Sequence, residues 1–138
     1  MTRAFMLDTN MVSYIVKGKS PAARGKLLSL KDGDIACISS ITEAEIKYGL
    51  SKRPEATGLR TLMESFLASI QVLSWGRDEA DAYGPLRANL EAAGKTLASM
   101  DLMIAAHVIT ISAVLVTNDK VFKQVEGLSA AVNWATDL

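Results

Sequence analysis

The sequence predicts an α/β fold, a mostly parallel central sheet covered by helices on both faces, and three observations carry that prediction. Short apolar runs recur at residues 4–7, 35–38 and 114–116, with Gln71-Val72-Leu73 as a further short strand. They are too short for helices and lack the polar alternation of a half-exposed strand, which suits strands buried on both faces. Helix-length amphipathic or apolar segments separate them, as parallel βαβ units require. Acids and hydroxyls follow directly on two of the runs, Asp8-Thr9-Asn10 after the first and Thr117-Asn118-Asp119 after the last. In open parallel sheets ligands bind beyond the carboxyl ends of strands.

The elements follow in order. After the first strand, residues 9–16 read as a helix closed by Gly18. Ser20-Pro21 starts another, a cap followed by proline at the first helical position, running to about Leu30. Asp32-Gly33 is a turn into the second strand. Ser40-Ile41-Thr42-Glu43 fits a capping box opening the next helix. On it Ile41, Ala44, Tyr48 and Gly49 share an inward-leaning face with Glu45, while Glu43 and Lys47 form a surface i,i+4 pair. Residues 55–68 form an amphipathic helix with Leu59, Leu62, Met63 and Phe66 inward. The helix at 77–93 ends at Gly94 and should kink or break at Pro85. Ser99 caps a helix at 100–111 that is apolar on all sides apart from His107, hence buried. A short helix through Phe122 and a last strand near residues 131–134 complete one domain, residues 1–138.

Composition sets bounds on the partners. Hydrophobic residues make up 49% and charged ones 22%, an ordinary globular balance. Fifteen basic and fifteen acidic residues cancel, so net charge advertises no polyanionic partner. Distribution says more: basic residues exceed acidic ones between residues 17 and 60. There Lys17, Lys19, Lys47, Lys52 and Arg53 form a solvated face that can also meet phosphates. No apolar run reaches transmembrane length, and no signal peptide is expected. The lone Cys37 makes no intramolecular disulfide and suits a cytoplasmic setting. Cys37, Trp75 and Trp134 read as packing residues, and His107 as a core histidine bonded through one nitrogen.

Four acids stand at positions that can share one edge: Asp8 and Asp119 after strands, Glu45 and Asp101 on early turns of helices. Each has a local reading as a cap, a helix-dipole partner or a surface ion. Together, carboxylates at short range raise one another's pKa or recruit a cation. An all-oxygen set points to Mg²⁺ or Mn²⁺, and such an ion activates water against a phosphodiester. Two other classes remain open at this point. One is a phosphatase with Asp8 as covalent nucleophile, against which Asn10 stands where a second aspartate is expected. The other is a catalytically inactive RNA- or protein-binding module.

The ordered motifs Phe5-Met6-Leu7-Asp8-Thr9-Asn10, Ile38-Ser39-Ser40-Ile41-Thr42-Glu43-Ala44-Glu45, Asp101-Leu102-Met103-Ile104-Ala105-Ala106-His107 and Val116-Thr117-Asn118-Asp119 resemble a PIN domain over essentially the whole chain. More narrowly, they are similar to the VapC ribonuclease toxins of bacterial type II toxin–antitoxin modules. The resemblance implies an endoribonuclease dependent on Mg²⁺ or Mn²⁺ that cleaves RNA, with initiator tRNA as a candidate substrate. It also implies a VapB antitoxin whose tail covers the active site, and assembly as a homodimer and a toxin–antitoxin hetero-oligomer. The family's metal-site positions fall on Asp8, Glu45, Asp101 and Asp119. Enteric members that cleave initiator tRNA carry an amide where Asp119 stands. Thr9, Asn10, Ser40 and Thr117 match polar positions that support the acids. Arg87 matches a recurring basic position and joins Lys17 and Lys19 as an expected RNA contact.

Overall fold

The computed structural model describes residues 3–128 and 130–138. Five strands form one sheet, β1 (Ala4–Leu7), β2 (Ile35–Ser39), β3 (Gln71–Leu73), β4 (Val114–Val116) and β5 (Ala131–Val132), in the order β3-β2-β1-β4-β5. Every pairing is parallel. The expected α/β fold is therefore observed, with β1 at the centre of the sheet.

Six helices cover it: α1 (Thr9–Val16), α2 (Pro21–Leu28), α3 (Ser40–Ser51), α4 (Thr57–Ser69), α5 (Arg77–Ala92) and α6 (Ser99–Ile111). The pleat of β1 divides the core. Phe5 and Leu7 face a cluster built with α1–α4 and Trp134, while Met6 faces a second cluster with Cys37, α5 and α6. Both faces of β1 are thus buried, which is why its run is apolar without alternation. Trp134 packs on Phe5 with ring centroids 5.6 Å apart, and Cys37 is fully buried. As expected, α6 is a core helix, with Leu102, Ile104, Ala105, Ala106, His107 and Val108 all buried.

Several local expectations are corrected. Ser39, not Ser40, caps α3: its Oγ accepts from the Ile41 N–H at 3.0 Å. Ser40 Oγ instead accepts the Trp75 N–H at 3.1 Å. Glu43 therefore has no capping-box partner and only faces Lys47 at 3.9 Å. The buried stripe of α3 is Thr42, Ile46 and Leu50, with Ala44, Tyr48 and Gly49 exposed. A threonine that is polar in sequence and fully buried in the fold hid that stripe. Leu62 is likewise exposed on α4, where Met63 is the buried residue.

In α6, Ser99 is the first helical residue, and Ala98 precedes it without a side-chain cap. Pro85 does not break α5. Pro85 and Asp81, whose carbonyl loses its helical donor, are both exposed, so water can replace the missing bond. Residues 120–124 are a 3-10 helix, and the last strand is limited to Ala131–Val132. Among the described residues no helix is long and apolar enough to cross a membrane.

Parallel strands all end at one edge of the sheet. Leu7, Ser39 and Val116 close β1, β2 and β4 there. The helix entering β4 runs back across the sheet, so the first turn of α6, with Asp101, returns to the same edge.

Candidate active site

Asp8 leaves the central strand at that edge and is only 5% exposed. Its backbone N–H continues the sheet by donating to Val116 O at 3.1 Å. Oδ1 accepts the Met11 N–H at 2.9 Å and caps α1, while Oδ2 accepts the Thr117 hydroxyl at 2.6 Å. The capping role is therefore present, and the capping carboxylate lies within reach of the Asp101 and Asp119 charges. Burial pushes the Asp8 carboxyl up to about 6. The Thr117 and Met11 donors oppose that rise, and the charges of Asp101 and Asp119 add to it.

The other acids surround it. Asp101 is half-buried, and its carboxyl is also raised, first by burial and then by the Asp119 and Glu45 charges. Glu45, half-buried on α3, accepts the Thr9 hydroxyl at 2.6 Å through Oε1. Thr9 also lies 3.4 Å from Thr42 Oγ1, which ties α1 to α3. Asp119 is exposed and caps the 3-10 helix through the Val121 N–H at 2.9 Å. Thr117 Oγ1 accepts the Asp119 N–H, also at 2.9 Å, so one hydroxyl holds two of the acids.

The four acids therefore gather at one edge and feel one another electrostatically. Among the described residues none of them forms an ion pair. Nor, among the described residues, are any three His, Cys, Asp or Glu side chains close enough to hold a metal ion as they stand. Glu45 is turned to Thr9, and Asp8 is tied through both oxygens. The donor set, all oxygen, mutually repelling and without a counter-charge among the described residues, is of the kind that suits a hard divalent cation, and these side chains would have to rotate to bring the ligands together.

The supporting residues divide. Thr9 and Thr117 bond the acids directly, whereas Ser40 holds Trp75 and Asn10 is exposed beside the site. Sequence reasoning missed a deeper support. His107, read as a core histidine, has Nδ1 2.9 Å from Ser39 Oγ, the cap of α3, so the helices bearing Asp101 and Glu45 are joined in the core. Burial keeps the imidazole below its usual range, against the charge of the neighbouring Glu79. Nothing local in the sequence pairs Ser39 with a residue so far along the chain.

Among the described residues, an open hollow of about 410 Å³ lies between Asn10, Tyr14 and Asp119, and two further grooves open from the site. One, of about 260 Å³, runs from Thr9, Asn10 and Glu45 between α1, α3 and α4, with Lys17, Lys52 and Arg53 around it. The other lies beyond Asp119, between the 3-10 helix and β5. Lys19 is exposed and lines neither groove. Arg87 sits on α5 with its guanidinium on the Tyr83 hydroxyl at 2.9 Å and on Glu91 at 3.5 Å.

Comparison with known proteins agrees with this fold. The PIN domain profile matches residues 5–128. Ribonuclease VapC2 of Rickettsia felis is 34% identical over 131 residues, 94% of this chain and 97% of that protein. The tRNA(fMet)-specific endonuclease VapC of Shigella flexneri is 35% identical over 90% of this chain and 93% of its own length. Among solved structures, VapBC2 from Rickettsia felis bound to a promoter DNA fragment matches with a TM-score of 0.88 at 32% identity, covering 95% of this chain and 98% of that one. DNA-bound VapBC from Salmonella typhimurium matches with a TM-score of 0.87 at 31% identity, covering 97% and 99%. A parallel sheet with carboxylates gathered at one edge, matched along nearly its whole length, places this chain in the PIN-domain family, among the VapC ribonucleases.

Proposed function

We propose that the chain is an endoribonuclease toxin that hydrolyses RNA phosphodiester bonds with Mg²⁺ or Mn²⁺. The observation that carries this reading is Asp8, a buried carboxylate raised to about 6 beside two further acids and paired with no cation among the described residues. Asp8, Glu45 and Asp101 would hold the ion, with Asp119 at the rim completing the set. When bound, the ion supplies Lewis acidity toward the phosphoryl oxygen and lowers the pKa of water.

The chain's own residues then have distinct tasks. Thr117 and the Met11 N–H hold Asp8, and Thr9 holds Glu45, in the metal-free arrangement from which the acids would turn to the ion. Asp101 accepts no hydrogen bond from the described residues, so both of its oxygens are open to the ion and to water held beside it. Lys17, Lys52 and Arg53 lead an RNA backbone toward the acids through the groove that contains Glu45. Lys19 and Arg87, expected as RNA contacts, serve at most a longer track outside it.

The Shigella flexneri relative, specific for tRNA(fMet), supports initiator tRNA as the substrate to test first. The VapBC complexes of Rickettsia felis and Salmonella typhimurium support a VapB-type antitoxin partner, and a homodimer within the hetero-oligomer is part of the same proposal. Incubation with purified initiator tRNA and a tRNA pool, with Mg²⁺, Mn²⁺ or chelator, tests the reading. Metal-dependent cleavage lost in Asp101→Asn is expected. Metal-independent cleavage, or none with any RNA, overturns it, and turnover of a phosphate monoester in its place would favour Asp8 as a nucleophile.

A further inference from the structure

Thr117 and Asp119 border a groove of about 380 Å³ closed on its far side by the 3-10 helix and β5. Its volume falls in the ~300–1,000 Å³ range of small-molecule sites. The floor is apolar, with Phe122 and Val125 buried and Leu128 half-buried. The rim is polar. Lys120 and Lys123 are exposed there, and neither is in an ion pair among the described residues. Asn118 and Asn133 line it and are bonded to each other, Asn133 Nδ2 donating to Asn118 Oδ1 at 2.9 Å. Asn133 Oδ1 is committed to the Ala135 N–H at 2.9 Å, whereas the Asn118 amide nitrogen has no partner among the described residues. It therefore offers donors to an incoming acceptor.

We propose that this groove is a nucleotide subsite, holding the base and ribose of the ribonucleotide next to the cleaved bond. The inference rests on the ribonuclease reading above and adds to it a place where substrate sequence is read. Charge complementarity selects this occupant. The gathered acids repel a polyanion, so an RNA strand crossing Asp8 needs cations on both sides. Lys17, Lys52 and Arg53 supply them on one side, and Lys120 and Lys123 on the other. A groove for phosphate alone needs no apolar floor. A base does, and its ring acceptors match the free Asn118 donors.

The test uses the whole protein in chelator, so that binding is read without cleavage. Fluorescence anisotropy is measured with labelled eight-residue single-stranded RNAs in which each position in turn lacks its base. Val132→Trp fills the groove from β5, where Val132 lines it and is 37% exposed. Lys120→Ala with Lys123→Ala removes the rim charge. Val132→Trp is expected to weaken binding roughly tenfold, about the worth of one good contact. One abasic position should cost the parent protein affinity yet cost Val132→Trp nothing further, since coupled groups are not additive. The double lysine variant should weaken all strands alike and lower the salt slope by about 1–2.

Affinities within twofold of the parent for both variants, or an abasic penalty equal in parent and Val132→Trp, overturns the subsite. Should Val132→Trp melt far below the parent, an unchanged salt slope in the lysine variant is sufficient to reject it. Cleavage measured separately keeps the two readings apart. A protein that cleaves RNA but shows no base-dependent coupling loses the subsite alone. One that shows the coupling but cleaves nothing keeps the subsite and loses the nuclease.

Discussion

Replacing Asp8 by asparagine removes a charge that the fold holds at a cost. In the metal-free protein the Asp8 carboxyl lies at about 6, against 3.8 for an ordinary aspartate. A gap of about two pKa units, at about 1.4 kcal/mol per unit, corresponds to roughly 3 kcal/mol. Below the unfolded value both states carry the proton, and Asp8 is harmless. As pH rises, the unfolded chain ionises first, stability falls through the folded value, and above it the whole penalty is present. The substituted side chain keeps the helix cap through its carbonyl oxygen, and asparagine is as good a cap as aspartate. Thr117 can turn to accept from the new amide. Asp8→Asn should therefore melt higher than the metal-free wild type at pH 7, by up to roughly 10 °C. The difference should shrink as pH falls from 6 to 4. Added Mg²⁺ should narrow it too, because only the wild type is stabilised, by about 1.4 kcal/mol at ten times the dissociation constant. Thermal and urea unfolding in chelator across that pH range gives the answer. A variant less stable than wild type at every pH would show that Asp8 is a cap and nothing more, and would remove the physical basis of the metal site.

Other expectations are smaller. Glu45→Gln should abolish RNA cleavage with an unchanged melting temperature, whereas Glu43→Gln should keep activity and cost at most about 0.5 kcal/mol, since only the exposed Lys47 pair is lost; equal loss of cleavage would refute the division between them. Ser112 ends α6 with φ 55°, so Ser112→Gly should stabilise the fold by about 1 kcal/mol in urea unfolding. Asp137 accepts from Ser20 Oγ at 2.5 Å and from the Ala22 N–H at 3.1 Å, and these donors, the Ser20 hydroxyl first, hold its carboxyl below the usual 3.8. Asp137→Asn should accordingly lower the melting temperature near neutrality, with the loss fading as pH falls through the acid range where Asp137 itself takes up a proton. Burial pushes the Cys37 thiol up to about 11, so it should resist a thiol reagent in the native protein and react only in denaturant.

What the sequence showed depended on the range of the interaction. The buried faces of β1 were readable because Phe5, Met6 and Leu7 form an unbroken apolar run, and the start of α2 because Ser20-Pro21 is a local signal. The α3 cap was misplaced by one residue because two adjacent serines are chemically equal, and only the backbone decides that Ser39 stays extended. The inward face of α3 was misread because Thr42 counts as polar, although its hydroxyl sits near Thr9 in the core. The positions of the four acids at strand ends and helix starts were legible. Their tethers were not: Thr9 to Glu45, Thr117 to Asp8 and His107 to Ser39 join residues that no periodicity relates.

The hydrogen bond from Thr117 to Asp8 spans 109 positions. At a synthesis rate of roughly 5–20 residues per second, Thr117 is made about 5–20 s after Asp8. Until then β1 lacks the neighbour β4 on one edge, and Asp8 lacks both the hydroxyl that orients it and the backbone carbonyl of Val116 that anchors it. A nascent chain should consequently be inert toward RNA until β4 and Thr117 are in place. The same delay leaves a naked strand edge exposed to other chains. Fragments that stop before β4 should aggregate without cutting RNA.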